Sequence, residues 1–197
     1  MHNDEFLSTR KLVLLALLTA IVIILQLIGT FIRFGPFSVS LVLMPIVVGA
    51  ALIGIAAGFW LGLVFGLVVL VSGDASIFLA INPIATLVIV TLKGIFAGVC
   101  AAIAYKYLSR INKIVGALSA AIVCPVVNTG VFACGMLFFF RETLNEWSMA
   151  ESFIDAVTFL FVGMIGFNAV FEMGLNVILC PVIIRLIDYG RALESKQ

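Results

Sequence analysis

Arg10-Lys11-Leu-Val-Leu-Leu-Ala-Leu-Leu-Thr-Ala-Ile-Val-Ile-Ile-Leu-Gln-Leu-Ile-Gly-Thr30 is the stretch that decides the class of this fold. Two cations open it, and no charged residue follows them before Thr30. At about 1.5 Å per residue a helix of this length reaches about 30 Å, the thickness of a bilayer's hydrocarbon core. The basic flank superficially matches a signal peptide. The apolar run is longer than such a region, and no small-residue cleavage site closes it, so a retained membrane helix is expected.

The same pattern continues outward from this run. Hydrophobic residues make up 64% of the 197 and charged residues 11%. Soluble domains are about half apolar and a quarter charged, and a soluble core has no room for this excess. Charges and Pro/Gly punctuation divide the chain into crossings at roughly 10–30, 38–54, 56–73, 84–106, 114–140 and 156–187. Arg33-Phe34-Gly35-Pro36-Phe37 ends the first, and a tight uncharged junction at Gly54 separates the second from the third. Gly73-Asp74 and Asn82-Pro83 bracket a short loop, and Pro125 and Pro181 lie inside the last two crossings. The expected fold is an all-α integral membrane bundle of six transmembrane helices forming a single domain over 1–197.

Lys and Arg concentrate on the cytoplasmic side of membrane proteins. With the N-terminus inside, that side holds Arg10, Lys11, Lys106, Arg110, Lys113, Arg185, Arg191 and Lys196, against Arg33 and Arg141 outside. Both termini are therefore expected in the cytoplasm. The longest polar stretch outside is 141–155, where Trp147 and Phe153 suit the membrane interface.

Several chemistries are excluded by what is missing. The net charge of +1 offers no basic patch for a phosphate backbone, so no nucleic acid partner is expected. No phosphate-binding Gly-x-x-x-x-Gly-Lys motif is present, so the chain does not hydrolyse nucleotides by that route. The single histidine, His2, rules out a Ser-His-Asp triad and clustered zinc ligands. Cys100, Cys124, Cys134 and Cys180 all lie in apolar runs and are expected to pack as small hydrophobes. No catalytic residue, metal or cofactor is expected.

Small residues recur at four-residue spacing. Gly58, Gly62 and Gly66 form one stripe and Gly94 and Gly98 another, and both are expected to pack within the bundle. Ala16 and Ala20 form a similar pair on the first crossing. That pair either packs inside the fold or docks another membrane subunit.

Polar residues at membrane depth carry the functional signal. Lys93 lies about nine residues, ~14 Å, below the outer end of its crossing, and Asn128 about twelve residues, ~18 Å, below its own. Asn168, Glu172 and Asn176 follow i, i+4, i+8 spacing, while Asn82, Thr86 and Lys93 share a second face. A charge in hydrocarbon costs at least about 2.5–3.5 kcal/mol unless paired or hydrated, so both faces are expected to turn inward. One reading is a structural Lys93–Glu172 ion pair with asparagines bonding between helices. The other is a polar pocket in which Lys93 meets a ligand carboxylate and Glu172 accepts from hydroxyl or amide groups. Phe132, Phe138, Phe167 and Phe171 are available as its apolar walls.

The chain resembles the substrate-binding S components of energy-coupling factor (ECF) vitamin importers. The resemblance is carried by Ser-Thr-Arg-Lys-Leu-Val-Leu-Leu-Ala-Leu-Leu-Thr-Ala at 8–20 and Arg-Phe-Gly-Pro-Phe-Ser-Val-Ser-Leu-Val-Leu-Met-Pro at 33–45. Ala-Ile-Asn-Pro at 80–83, Leu-Lys-Gly-Ile-Phe-Ala-Gly at 92–98, Pro-Val-Val-Asn-Thr-Gly at 125–130 and Phe-Asn-Ala-Val-Phe-Glu at 167–172 extend it. It implies a prokaryotic plasma-membrane protein that captures a vitamin-like small molecule from outside. It also implies that Ala16 and Ala20 dock a transmembrane coupling subunit, which carries two ATPase subunits. Outer loops at 31–38 and 74–83 would close the pocket, with Arg33, Asp74 and Asn82 near its mouth. The substrate-binding set is then Lys93, Asn128, Asn168, Glu172, Asn82, Thr86 and Arg33. Pantothenate is the favoured ligand, with folate and riboflavin as alternatives, and a metal cargo is disfavoured for lack of histidines. The competing class is a stand-alone carrier driven by protons through Glu172.

Overall fold

The computed structural model describes residues 9–31, 33–34, 37–38, 41–149, 152–185 and 188. Uninterrupted apolar sequence forms helix because a backbone without water must bond to itself. Three helices are long and apolar enough to cross a membrane: α1 (Thr9–Gly29), α5 (Pro83–Leu108) and α6 (Lys113–Phe139). Shorter helices are α2 (Leu43–Leu52), α3 (Ile55–Val71), α4 (Ser76–Ile81), α7 (Arg141–Ser148) and α8 (Phe153–Thr158). A π-helical segment, Phe159–Gly166, leads into α9 (Phe167–Ile178), and helix resumes over 180–185. The strands among the described residues are one antiparallel pair, β1 (Arg33–Phe34) and β2 (Phe37–Ser38), in which Arg33 faces Ser38 and Phe34 faces Phe37.

α5 is the axis of the packing. It lies between α3 and α6, with α2 set against all three, α1 against α2 and α3, and α9 against α6. The glycine stripes explain how α3 and α5 come so close. A methyl group at Gly58 would strike the Gly98 carbonyl, one at Gly62 the Gly94 carbonyl, and the reverse holds for Gly94 and Gly98. The two stripes are therefore one interface, packed within the bundle as their spacing implied.

The second expected crossing, 38–54, is corrected at its start. Ser38 belongs to β2, and α2 begins only at Leu43. Its ten residues rise only ~15 Å, about half a hydrocarbon core. The helix ends where Gly54 takes φ 110° and ψ −159°, a conformation open essentially to glycine. The 74–83 and 141–155 connections, expected as loops, contain α4 and α7. Trp147 is half-buried and packs against an aromatic cluster around Phe78. Among the cysteines, Cys134 is exposed, whereas Cys124 and Cys180 are buried. Pro125 is accommodated inside α6, while the helix breaks at Leu179, two residues before Pro181. Proline offers no N–H to continue a helical ladder.

Candidate functional site

Asn82 begins the site at the N-terminal end of α5. Its Oδ1 accepts from the Ala85 N–H at 3.1 Å, and Pro83 occupies the first helical position, where its missing donor does no harm. The buried Thr86 hydroxyl donates to the Asn82 carbonyl at 2.8 Å. These two expected ligand residues therefore commit polar groups to the start of α5. Asn82 also lines a cavity of about 460 Å³ with Arg141, Glu142 and Thr143.

Two turns deeper, Lys93 reaches between neighbouring helices. Its Nζ lies 5.5 Å from the centre of the Phe65 ring on α3 and 5.4 Å from that of Phe132 on α6. Ring faces carry negative charge density, so an ammonium is attracted to them by about 0.5–2 kcal/mol. Glu172 on α9 and Asp74, just after α3, both lie near enough to act on the Lys93 charge. Glu172 is 3% exposed and also acts electrostatically on Cys124 of α6.

Spacing on α6 then locates Asn128. Cys124, Asn128 and Phe132 are four residues apart and share one face. Phe132, at one end of that face, meets Lys93, and Asn128 lies one turn away from it along α6. Asn128 is 5% exposed, and its Oδ1 has no hydrogen-bond partner among the described residues. The buried Asn176 donates through Nδ2 to the Glu172 carbonyl at 2.9 Å, and its Oδ1 likewise has no partner among the described residues. An unmatched buried polar atom costs about 1–3 kcal/mol, so two of them on neighbouring helices point to a role other than stability.

α4 forms the roof. Its buried Phe78 packs edge-on against Phe132 at 5.9 Å and Phe140 at 5.6 Å, and lies 6.0 Å from Trp147. Phe132 therefore touches both the lysine and the roof.

The structure thus brings Lys93, Glu172 and the Asn128 face together and sets Asn82 and Thr86 at the end of α5. The side chains of Arg33, Asn168 and Phe167 lie outside the described residues, as do positions 32, 35 and 36 of the 31–38 lid segment. Phe138 is 83% exposed, which removes it from the expected pocket wall. Ala16 and Ala20 are both exposed, on the side of α1 opposite its buried Leu18, Val22 and Gln26. Sequence reading passed over Phe65 and Gln26. Phe65 is one of 17 phenylalanines with nothing to set it apart. Gln26 was detectable as an amide inside an otherwise apolar run. It is 1% exposed and donates through Nε2 to Asp74 Oδ2 at 3.0 Å.

No solved structure matches the chain. Over 195 aligned residues it is 27% identical to a protein named pantothenic acid transporter PanT from Lactococcus lactis subsp. cremoris (strain MG1363), covering 90% of this chain and 93% of the relative. A family model described as ECF transporter, substrate-specific component, matches residues 10–184. A match over most of its length places this chain in the family of ECF transporter substrate-specific components.

Proposed function

We propose that the protein captures a carboxylate-bearing vitamin, pantothenate first among them, in the space bounded by Lys93, Asn128, Glu172 and Asn176. The observation that carries this reading is the Lys93 ammonium held between two phenyl rings beside a buried carboxylate and an unmatched amide oxygen. Pantothenate presents a carboxylate, an amide and two hydroxyls. The carboxylate suits Lys93, because an incoming anion offsets the cost of holding a cation away from water. Its hydroxyls and amide N–H suit the oxygens of Glu172, Asn128 and Asn176, and its methyl groups suit Phe65, Phe132 and Phe78. The name of the Lactococcus relative supports the same ligand.

Asn168 and Arg33 remain proposed contributors, and Asn82 and Thr86 act by fixing the outer end of α5. The bundle crosses the membrane six times with both ends in the cytoplasm. Ala16 and Ala20 dock a transmembrane coupling subunit, whose two ATPases supply the energy for release inside. The exposure of both alanines on an apolar helix face supports that role.

Equilibrium binding of labelled pantothenate to the purified protein, without ATP, tests the reading. Wild type is expected to bind tightly, and Lys93→Ala to lose affinity by about tenfold or more, the equivalent of ~1.4 kcal/mol. Equal binding by the two proteins removes Lys93 from the site. Uptake by liposomes containing this chain alone, driven only by a pH gradient, would instead assign proton coupling to Glu172.

A further inference from the structure

Gln26 has no part in the site as described, yet its surroundings give it one. It lies on the inner face of α1 with Leu18, Val22 and Gly29, and it is the polar member of that buried set. Four turns of helix precede it without a charge, so an amide there must find its partner inside the bundle. The partner is Asp74, which follows the left-handed turn at Gly73 (φ 82°) and lies two residues before the start of α4 at Ser76.

The contacts continue from there toward the lysine. Asp74 fixes the entry to α4, α4 carries Phe78, Phe78 packs on Phe132, and Phe132 lies over the Lys93 ammonium. α4 has six residues and a single buried one, Phe78. A helix that short does not hold its position by its own hydrogen bonds. Its placement depends on its two ends and its one anchor. Asn82 secures one end by capping α5, and Asp74 secures the other through α1.

We propose that Gln26 is a positioning residue for the binding site: through its hydrogen bond to Asp74 it latches the α4 roof to α1, and breaking this latch lets ligand leave. This rests on the reading of the Lys93 region as the ligand site, but part of its test needs no ligand. A hydrogen bond to a carboxylate is worth more than one between neutral groups, and here it is shielded from water by burial. Removing it leaves the roof's Phe78 anchor in place, so the fold persists while α4 opens more often.

The test uses the full chain in lipid nanodiscs, with Gln26→Leu, Gln26→Glu, Asp74→Asn and the double variant Gln26→Glu/Asp74→Asn. Gln26→Leu removes the donor, and Gln26→Glu sets two carboxylates against each other. The double variant restores a donor–acceptor pair in the opposite sense. Amide hydrogen exchange over residues 76–81 is expected to quicken by roughly tenfold in Gln26→Leu and Gln26→Glu and to return toward wild type in the double variant. Exchange in the α3–α5 interface should stay unchanged. With pantothenate as probe, the two single Gln26 variants should release ligand faster with little change in association rate. Unchanged exchange over 76–81 overturns the latch, whatever the ligand result. Quickened exchange throughout the bundle overturns it too, because Gln26 would then serve only stability. If Lys93→Ala binds pantothenate as wild type does while the exchange result holds, the ligand reading fails and the latch between α1 and α4 stands.

Discussion

Asn128 is the residue at which stability and the proposed function pull in opposite directions. Its amide is buried with one oxygen unmatched among the described residues, a state that costs about 1–3 kcal/mol. Asn128→Leu fills similar volume and removes that cost. The variant is expected to melt at or above the wild-type temperature in detergent while losing most of its pantothenate affinity. A parallel fall in melting temperature and affinity would make Asn128 a structural residue. Phe132→Leu addresses the neighbouring contact. It keeps an apolar surface under Phe78 but removes the ring face from Lys93, an interaction worth about 0.5–2 kcal/mol. Ligand affinity should fall a few-fold in that variant, measured by titration. A result equal to wild type would show that the second ring, Phe65, suffices to hold the lysine.

At the scale of elements, the α3–α5 contact is set by backbone against backbone. Gly62→Leu forces a side chain into the Gly94 carbonyl, and no rotamer relieves a collision that begins at Cβ. The variant is expected to express poorly and to lose the monodisperse peak on size-exclusion chromatography. Gly130 and Gly174, around which a methyl group meets nothing within 4 Å, provide the comparison. Gly130→Ala should be tolerated or slightly stabilising, because alanine gains about 0.5–1 kcal/mol over glycine in a helix interior. Equal behaviour of Gly62→Leu and Gly130→Ala would mean that the helices separate without penalty. The same reasoning explains α2. Its ten residues are nearly all buried, so it behaves as a plug between α3, α5 and α6 more than as a lipid-facing helix.

For the whole molecule, the notable asymmetry is α1. One face packs on α2 and α3, and the other exposes Val13, Ala16, Leu17, Ala20, Ile24 and Leu27. Beside this face the Trp60 indole donates to the Thr19 hydroxyl at 3.1 Å, tying α3 to α1 at the level of Ala20. Small residues let a second helix approach closely, where dispersion and Cα–H contacts accumulate. Ala16→Trp combined with Ala20→Trp is therefore expected to abolish uptake of labelled pantothenate by whole cells while leaving binding to the purified chain within about twofold. Retained uptake would reject the docking role of this face. At the opposite end of the molecule from the α4 roof, Lys113 at the start of α6 lies 3.6 Å from Asp188. Both side chains are about half exposed, so the pair adds little stability.

Sequence alone determined the helical membrane class, because hydrophobic length and charge spacing are local quantities that a bilayer selects directly. It also picked out Lys93, Asn128 and Glu172, since a polar group in an apolar run is costly wherever the helix lies. The glycine stripes likewise announced a close helix contact through their spacing, although not that each stripe is the other's partner. Tertiary structure decided which polar residues meet. It turned Phe138 outward, shortened α2, and joined Gln26 to Asp74 across 48 positions of sequence. Those outcomes depend on the rotation and depth of each helix against its neighbours, and no local pattern of residues encodes either quantity.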